Sequence, residues 1–122
     1  MSSSFFSRVL RAISIAATLA VGVMALFTLP AEAAGLAEVV EVSIVNMKFE
    51  PARIEIKAGT TVRWVNKEKR SNHTVFFEKE GIAESDRLFP GESFERKFDT
   101  PGVYPYICGP HPHMTAEIVV IK

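Results

Sequence analysis

The sequence predicts an all-β domain, folded as an antiparallel sandwich or barrel of about seven to eight short strands. Apolar and polar residues alternate through residues 34–122, and the spacing typical of amphipathic helices is almost absent there. Turn dipeptides interrupt the alternation at Ala58-Gly59, Pro90-Gly91, Pro101-Gly102 and Gly109-Pro110. Short alternating runs separated by such turns are the pattern of sandwiches and barrels.

The first 33 residues predict a secretory signal peptide. Two arginines precede the uncharged run "AISIAATLAVGVMALFTL", and Pro30 and the small-residue sequence Ala31-Glu32-Ala33 follow it. A basic start, an apolar middle and such a cleavage sequence are the three parts of a signal peptide. We therefore expect residues 1–33 to be removed and residues 34–122 to form the exported domain. The alternative is an uncleaved membrane anchor, because the apolar run is long enough to cross a bilayer.

Seven runs of the exported domain carry the strand pattern. In chain order they are VVEVSIV (39–45), RIEIKAG (53–59), TVRWVN (61–66), HTVFFE (73–78), SFERKFD (93–99), GVYPYIC (102–108) and TAEIVVIK (115–122). The first run alternates loosely and ends near Asn46. The second places Ile54 and Ile56 on one face, and the third places Val62 and Trp64 on one face.

The later runs are less regular. The fourth is β-branched and aromatic, and the sixth places Tyr104 and Tyr106 on the same face as Cys108, where we expect them to pack below it. We also expect Tyr104 to form a corner hydrogen bond. The charged stretch EKEGIAESDRLF (78–89) contains Gly81 and is interpreted as a loop with at most one helical turn. The alternative there is a helix in a mixed domain.

The charge and the cysteine count exclude several classes of protein. Removing Arg8, Arg11 and Glu32 from 14 basic and 14 acidic residues leaves 12 and 13 in the exported domain. A net charge near −1 argues against nucleic-acid binding, which requires a basic surface. A domain of this size often needs a covalent or metal cross-link. Cys108 is the only cysteine, so a disulfide within the chain is excluded and a metal is the remaining choice.

Cys108 begins a spacing that is typical of a metal site. His111 and Met114 follow it at intervals of three, and Pro110 and Pro112 bracket the histidine. Structural zinc sites use cysteine and histidine, and methionine suits them poorly. A thiolate, imidazoles and a weak thioether are the donor set of a type 1 copper site. Singly, each residue could be structural, but together with an upstream histidine they favour copper.

A type 1 site needs a second histidine, and the chain offers two candidates. His73 begins the fourth predicted strand and would reach the site through strand pairing. His113 lies two residues after His111 and could point the same way in an extended loop. A ligand from a separate strand would fix the loop to the scaffold, which favours His73.

The chain resembles the cupredoxin family of type 1 blue copper proteins, and within it the amicyanin and plastocyanin group. The segments that carry the resemblance are VNMKFEPARIEIKAGTTVRWVN (45–66), NHTVFF (72–77) and PGVYPYICGPHPHM (101–114). The resemblance implies a Greek-key β-sandwich and one type 1 copper per chain. It implies as ligands His73, Cys108, His111 and Met114. It also implies that Asn66 braces the cysteine and the ligand loop. Position 113 departs from the group, which has another aromatic residue there.

The resemblance implies a periplasmic protein that shuttles single electrons between redox partners. The donor and the acceptor would be a dehydrogenase, a cytochrome c or an oxidase, and we expect a monomer. A copper enzyme needs a further copper centre and more than three histidines, so we expect a carrier and no enzyme. The alternative function is copper storage or delivery without a redox role.

Two further hypotheses concern the surface around the site. The ring edge of His111 would serve as the exit for the electron, with Pro112 and Phe49 as a small apolar docking patch. The basic residues Lys67, Lys69 and Arg70 would steer an acidic partner toward it.

Overall fold

The computed structural model describes residues 36–122, and the predicted signal peptide (1–33) lies outside the described residues. Within residues 36–122, no helix is both long and apolar enough to span a membrane. These residues form seven strands and one short 3₁₀ helix. The predicted all-β class is therefore confirmed.

The strands form two sheets. They are β1 (Val39–Val45), β2 (Lys48–Glu50), β3 (Arg53–Lys57), β4 (Thr60–Asn66), β5 (Ser93–Phe98), β6 (Gly102–Ile107) and β7 (Thr115–Ile121). The first sheet has the order β2-β1-β4-β5 and the second has the order β3-β7-β6. Two sheets that share one apolar core correspond to the predicted sandwich.

Two strand pairs are parallel, which differs from the antiparallel arrangement predicted from the alternation. Strand β1 pairs in parallel with β4, and β3 pairs in parallel with β7. Val42 lies opposite Trp64 in the first pair, and Ile56 lies opposite Val120 in the second. Alternation within a strand reports which face is buried and carries no information about the direction of the neighbouring strand.

The run HTVFFE (73–78) is not a regular strand, so that prediction is wrong. The segment changes partner along its length: His73 forms a bridge with Leu88, and Phe76 forms one with Ile107. No ladder extends over consecutive residues for that reason. Val75 and Phe77 are nevertheless buried, and this burial explains the strand-like composition of the run.

The short strand β2 was not predicted, because the turn before it lacks a typical hairpin sequence. β1 and β2 are joined by the two residues Asn46 and Met47, whose φ angles are 51° and 56°. Two consecutive positive φ values are the mark of a type I′ hairpin turn. Asparagine adopts this conformation readily, but methionine does not, so the sequence Asn46-Met47 does not indicate a hairpin turn.

The charged stretch 78–89 contains one helical turn, as predicted. The 3₁₀ helix Glu78–Glu80 ends at Gly81, whose φ of 65° provides the left-handed cap. Arg96 on β5 forms an ion pair of 2.8 Å with Glu80 and lies over the rings of Phe77 and Phe98. The helix is thereby attached to the first sheet.

Trp64 lies at the centre of the core. Val62 and Trp64 are fully buried on the same face of β4, as the alternation predicts. Edge-on and tilted aromatic contacts surround the indole: Phe94 lies at 5.7 Å between ring centroids and Tyr106 at 5.5 Å. Tyr106 thus packs directly below the end of β6, at which Cys108 begins the next loop.

The hydroxyl of Tyr104 forms the predicted corner. It donates a hydrogen bond of 2.6 Å to the carbonyl oxygen of Thr100, across the turn that precedes β6. The bond fixes the start of the strand that delivers Cys108 to the site.

Candidate metal centre

The loop between β6 and β7 is closed on itself by three backbone hydrogen bonds. The N–H of His111 donates to the carbonyl of Cys108 at 3.2 Å, and the N–H of Met114 donates to that of His111 at 2.8 Å. The N–H of Cys108 donates in turn to the carbonyl of Met114 at 3.1 Å. Residues at spacings of three are therefore held on one side of a compact loop.

His73 approaches the same site from a different part of the chain, the segment between β4 and the 3₁₀ helix. We call this segment and the loop from Cys108 to Met114 the two arms of the site. Its N–H donates to the carbonyl of Leu88 at 3.1 Å, and the N–H of Leu88 donates back at 2.8 Å. The imidazole is fully buried. These two backbone hydrogen bonds hold the upstream histidine against the segment before β5, in addition to any contact with the loop after β6.

The structure brings three of the four predicted residues into one cluster of potential ligand atoms. The sulfur of Cys108 lies 3.7 Å from Nδ1 of His73 and 3.6 Å from Nδ1 of His111. The three atoms lie within 4.8 Å of one another. A metal bound at about 2.0–2.3 Å from each atom leaves such ligands roughly 3.5–4 Å apart. The cluster therefore has the size that a single metal ion requires.

Met114, the fourth predicted residue, is placed by the same loop. Its side chain is 2% exposed, and its backbone is bonded to both Cys108 and His111. The structure thus buries the thioether at the end of the loop that carries the thiol and the imidazole. The donor types in this region suit copper better than the harder divalent ions.

The electrostatics favour a neutral imidazole at His73. Burial lowers the pKa of His73 below its ordinary value of 6.5, and the nearby His111 lowers it further. The carboxylate of Glu68, 3.9 Å from Nε2, acts in the opposite direction. A neutral ring is the form that binds a metal, because protonation blocks the ligating nitrogen.

The sulfur of Cys108 accepts one backbone hydrogen bond among residues 36–122. Its donor is the N–H of Thr74, at 3.4 Å. Pro110 has no N–H and cannot supply a second. Thr74 was not singled out from the sequence, and its position directly after His73 is the one signal that could have found it.

Asn66 braces a different part of the site from the one predicted. Its side-chain amide donates to the carbonyls of Ser71 and Leu88, both at 2.8 Å, and its oxygen accepts the N–H of Glu68 at 2.9 Å. These partners belong to the arm that carries His73. No side-chain bond from Asn66 to residues 108–114 is present in the described chain.

The rival ligand His113 and the two residues of the predicted docking patch have different outcomes. His113 is exposed and lies outside the cluster of ligand atoms, with its ring 6.2 Å from that of His111. Phe49 is 2% exposed and packs against Tyr106, so it cannot belong to a docking patch. Pro112 is exposed, as predicted.

Comparison with known protein families gives a match over nearly all of the described chain. The family described as "Copper binding proteins, plastocyanin/azurin family" matches residues 36–121. The match includes every residue of the cluster and both sheets.

Individual proteins give the same result. The amicyanin-alpha of Methylorubrum extorquens is 37% identical over 122 residues, which cover 91% of this chain and 99% of that protein. A plastocyanin of Scenedesmus fuscus is 44% identical over 72 residues, covering 52% of this chain and 74% of the other. The crystal structure of amicyanin from Paracoccus versutus superposes with a TM-score of 0.63 at 36% identity, covering 70% of this chain and 83% of that one.

Proposed function

Because this chain belongs to the plastocyanin/azurin family of copper binding proteins, we propose that it is a periplasmic electron shuttle of the amicyanin type. The chain is a type 1 copper electron carrier and not an enzyme. The finer proposal concerns the ligands, the compartment and the partners.

The proposed ligands are His73, Cys108, His111 and Met114. The observation that carries this assignment is the convergence of one buried thiol and two imidazole nitrogens within 4.8 Å. When bound, copper supplies a one-electron couple. The thiolate and the imidazoles fit its preferences, and Met114 would be the weak fourth ligand.

The chain would contribute rigidity. Cys108, His111 and Met114 are held by mutual backbone bonds, and His73 is held separately through Leu88. Neither arm needs to rearrange when the charge at the centre changes. Little reorganisation on gain or loss of an electron is what a shuttle requires.

The electron would leave through His111. This residue is half-buried, whereas Cys108 and His73 are fully buried, and the flanking Pro110 and Pro112 are exposed. A partner protein that docks on the two prolines would approach the imidazole edge without displacing water from a charged surface. We propose a dehydrogenase, a cytochrome c or an oxidase as donor and acceptor, and a monomeric carrier.

The spectrum of the copper-loaded protein tests the site. The full chain would be expressed in a bacterium, recovered from the periplasmic extract and loaded with copper(II). We expect an intense blue absorption with narrow copper hyperfine splitting in the paramagnetic resonance spectrum. Cys108→Ser should abolish the blue band, and the matched variant His113→Gln should retain it.

The same preparation tests the compartment and the alternative function. A mass that lacks residues 1–33 would support cleavage and export, whereas an intact chain in the membrane fraction would contradict them. A pale, ordinary copper(II) spectrum would contradict the shuttle. Copper storage or delivery would then be the better account.

A further inference from the structure

A carboxylate from outside the ligand loop lies beside the start of that loop. Glu84, in the segment between the 3₁₀ helix and β5, accepts a hydrogen bond from the hydroxyl of Thr74 at 2.5 Å. The same hydroxyl oxygen accepts the N–H of Gly109 at 2.8 Å. Glu84 is therefore linked through one atom to the residue after each of two proposed ligands, His73 and Cys108.

Thr74 joins the two arms of the centre. Its backbone N–H donates to the sulfur of Cys108 at 3.4 Å. Its hydroxyl oxygen accepts a hydrogen bond from the N–H of Gly109, the next residue along the loop. The residue is 2% exposed, so water does not readily replace these partners. A hydroxyl can donate only one hydrogen bond. With that proton directed at Glu84, the oxygen lone pairs are free to accept from Gly109.

The glycine at position 109 makes room for the carboxylate. A Cβ atom added at Gly109 would lie 1.8 Å from Oε1 of Glu84 and 2.6 Å from its Cδ. No side chain could occupy that space without moving Glu84. The close approach of this carboxylate and the absence of a side chain at 109 thus belong to one arrangement.

Neighbouring bonds hold Glu84 in place. The N–H of Ser85 donates to the carbonyl of Val75 at 3.0 Å, and the N–H of Val75 donates to the hydroxyl of Ser85 at 2.9 Å. The pair between His73 and Leu88 continues this contact. Residues that follow Glu84 are therefore bonded to both chain neighbours of Thr74, His73 and Val75.

We propose that Glu84 is a positioning residue of the copper centre. Its carboxylate orients the Thr74 hydroxyl, which anchors Gly109 and thereby keeps the Thr74 N–H on the sulfur of Cys108. A charged acceptor strengthens the bond that it receives and polarises the next one in the chain. The inference rests on the proposed function, because it concerns the thiolate that would bind copper.

The first test needs no metal. Amide hydrogen exchange would be measured on the metal-free full-length protein and its variants. Glu84→Ala should speed exchange at Gly109 and Thr74 by about fivefold, the effect expected for loss of one hydrogen bond. Exchange at Trp64, in the core, should not change. Unchanged rates at Gly109 and Thr74, or equal acceleration at Trp64, would overturn the proposal.

A matched set of variants separates position from charge. Glu84→Gln keeps an acceptor oxygen but removes the charge, so exchange at Gly109 and Thr74 should be faster than in the wild type and slower than in Glu84→Ala. Glu78→Ala removes a carboxylate that lines the same open pocket but forms no side-chain hydrogen bond within residues 36–122. Glu78→Ala should leave the exchange rates at Gly109 and Thr74 unchanged.

The second test is the reduction potential of the copper-loaded protein. Loss of negative charge raises the potential equally in Glu84→Ala and Glu84→Gln. A weakened N–H to sulfur bond leaves more electron density on the thiolate and lowers the potential. We therefore expect Glu84→Ala to lie below Glu84→Gln, and Thr74→Val to lie below the wild type, with Thr74→Ser restoring the value. Equal potentials for the two Glu84 variants would overturn the positioning role.

Gly109→Ala gives an independent comparison. The methyl group should push away the flexible end of Glu84 at little cost in stability, and so reproduce the exchange rates of Glu84→Ala. The double variant should then show no additional effect. Additive effects in the double variant would count against a shared arrangement.

The outcomes distinguish this inference from the proposed function. If the wild type lacks the blue spectrum, the shuttle fails, and the exchange experiment still decides whether Glu84 holds Thr74. If the wild type is blue and the two Glu84 variants behave alike, the positioning role alone fails.

Discussion

The sulfur of Cys108 is the atom whose surroundings bear most directly on the redox properties of this protein. It accepts the N–H of Thr74 at 3.4 Å, and the second residue after it, Pro110, has no N–H to add. Each hydrogen bond to a thiolate withdraws electron density and weakens its donation to the metal. A sulfur with one such donor therefore favours copper(II) more than a sulfur with two.

Pro110→Ala should raise the reduction potential. The new N–H gives the sulfur a second donor, and a bond of about 1 kcal/mol corresponds to roughly 40 mV for a one-electron couple. Voltammetry of the copper-loaded protein would measure the shift. Pro112→Ala, on the far side of His111, is the matched control and should change the potential much less. An unchanged or lower potential in Pro110→Ala would contradict the account.

At the residue scale, the sequence predicted the candidate ligands better than their supports. The spacing of Cys108, His111 and Met114 is local, so it can be found in the sequence. The choice of His73 over His113 rested mainly on the resemblance, because the fold brings together residues 35 positions apart. The role of Glu84 could not be predicted, because the sequence of a charged loop does not show which hydroxyl donates a hydrogen bond to one of its carboxylates.

Among the elements, β4 has the largest influence on the site through its last residue. Asn66 is fully buried and fixes the two loops around His73 through Ser71 and Leu88. Its backbone forms two further hydrogen bonds with the turn before β5. The N–H of Asn66 donates to the carbonyl of Glu92, and its carbonyl accepts the N–H of Gly91. One residue thus connects a strand end to three separate stretches of loop.

Asn66→Ala should destabilise the metal-free protein by about 3 kcal/mol, because three hydrogen bonds are lost and buried partners remain unpaired. Urea unfolding, followed by the fluorescence of Trp64, would measure the change in the free energy of unfolding. Asn72→Ala is the control. Asn72 accepts an exposed hydrogen bond from Arg87, so its loss should cost less than about 0.5 kcal/mol. Similar losses in the two variants would refute this role of Asn66.

The clear alternation of β4 predicted its buried face well, whereas the composition of segment 73–78 predicted a strand that does not form. Val62 and Trp64 identify the buried face of β4, because period two directly reflects the pleat. The segment 73–78 has the same composition, yet it divides its bonds between Leu88 and Ile107. Composition reports burial, whereas strand formation also requires one continuous partner, which only the folded chain reveals.

At the scale of the whole described domain, residues 36–122, the predicted basic residues after β4 differ in whether an acidic side chain pairs with them. Lys67 is paired with Glu41 at 2.6 Å, so its contribution to steering is reduced. Lys69 and Arg70 are exposed and form no ion pair within residues 36–122. They lie three and four residues after Asn66, at the site end of β4, and can attract an acidic partner over a distance.

Reversing both charges should slow oxidation by a negatively charged redox complex such as hexacyanoferrate(III). We expect a decrease of about fivefold for Lys69→Glu/Arg70→Glu at about 10 mM ionic strength, and almost none above about 0.5 M, where charges are screened. Stopped-flow oxidation of the reduced protein would measure it. The control, Lys57→Glu/Lys97→Glu, makes the same change at the opposite end of the sandwich. An equal decrease there would show that net charge, and not this patch, is responsible.

The strand order has a consequence for how the protein is made. Strand β7 lies at the centre of the second sheet, yet it comes after every other described strand in the chain. Neither β3 nor β6 has a partner in that sheet until Thr115–Ile121 has been synthesised. Residues 108–114 join β6 to β7, so they cannot close before that moment. A nascent chain emerging from the ribosome or from a translocation pore therefore has no preformed centre, and we expect metal to be loaded only after the last strand has emerged.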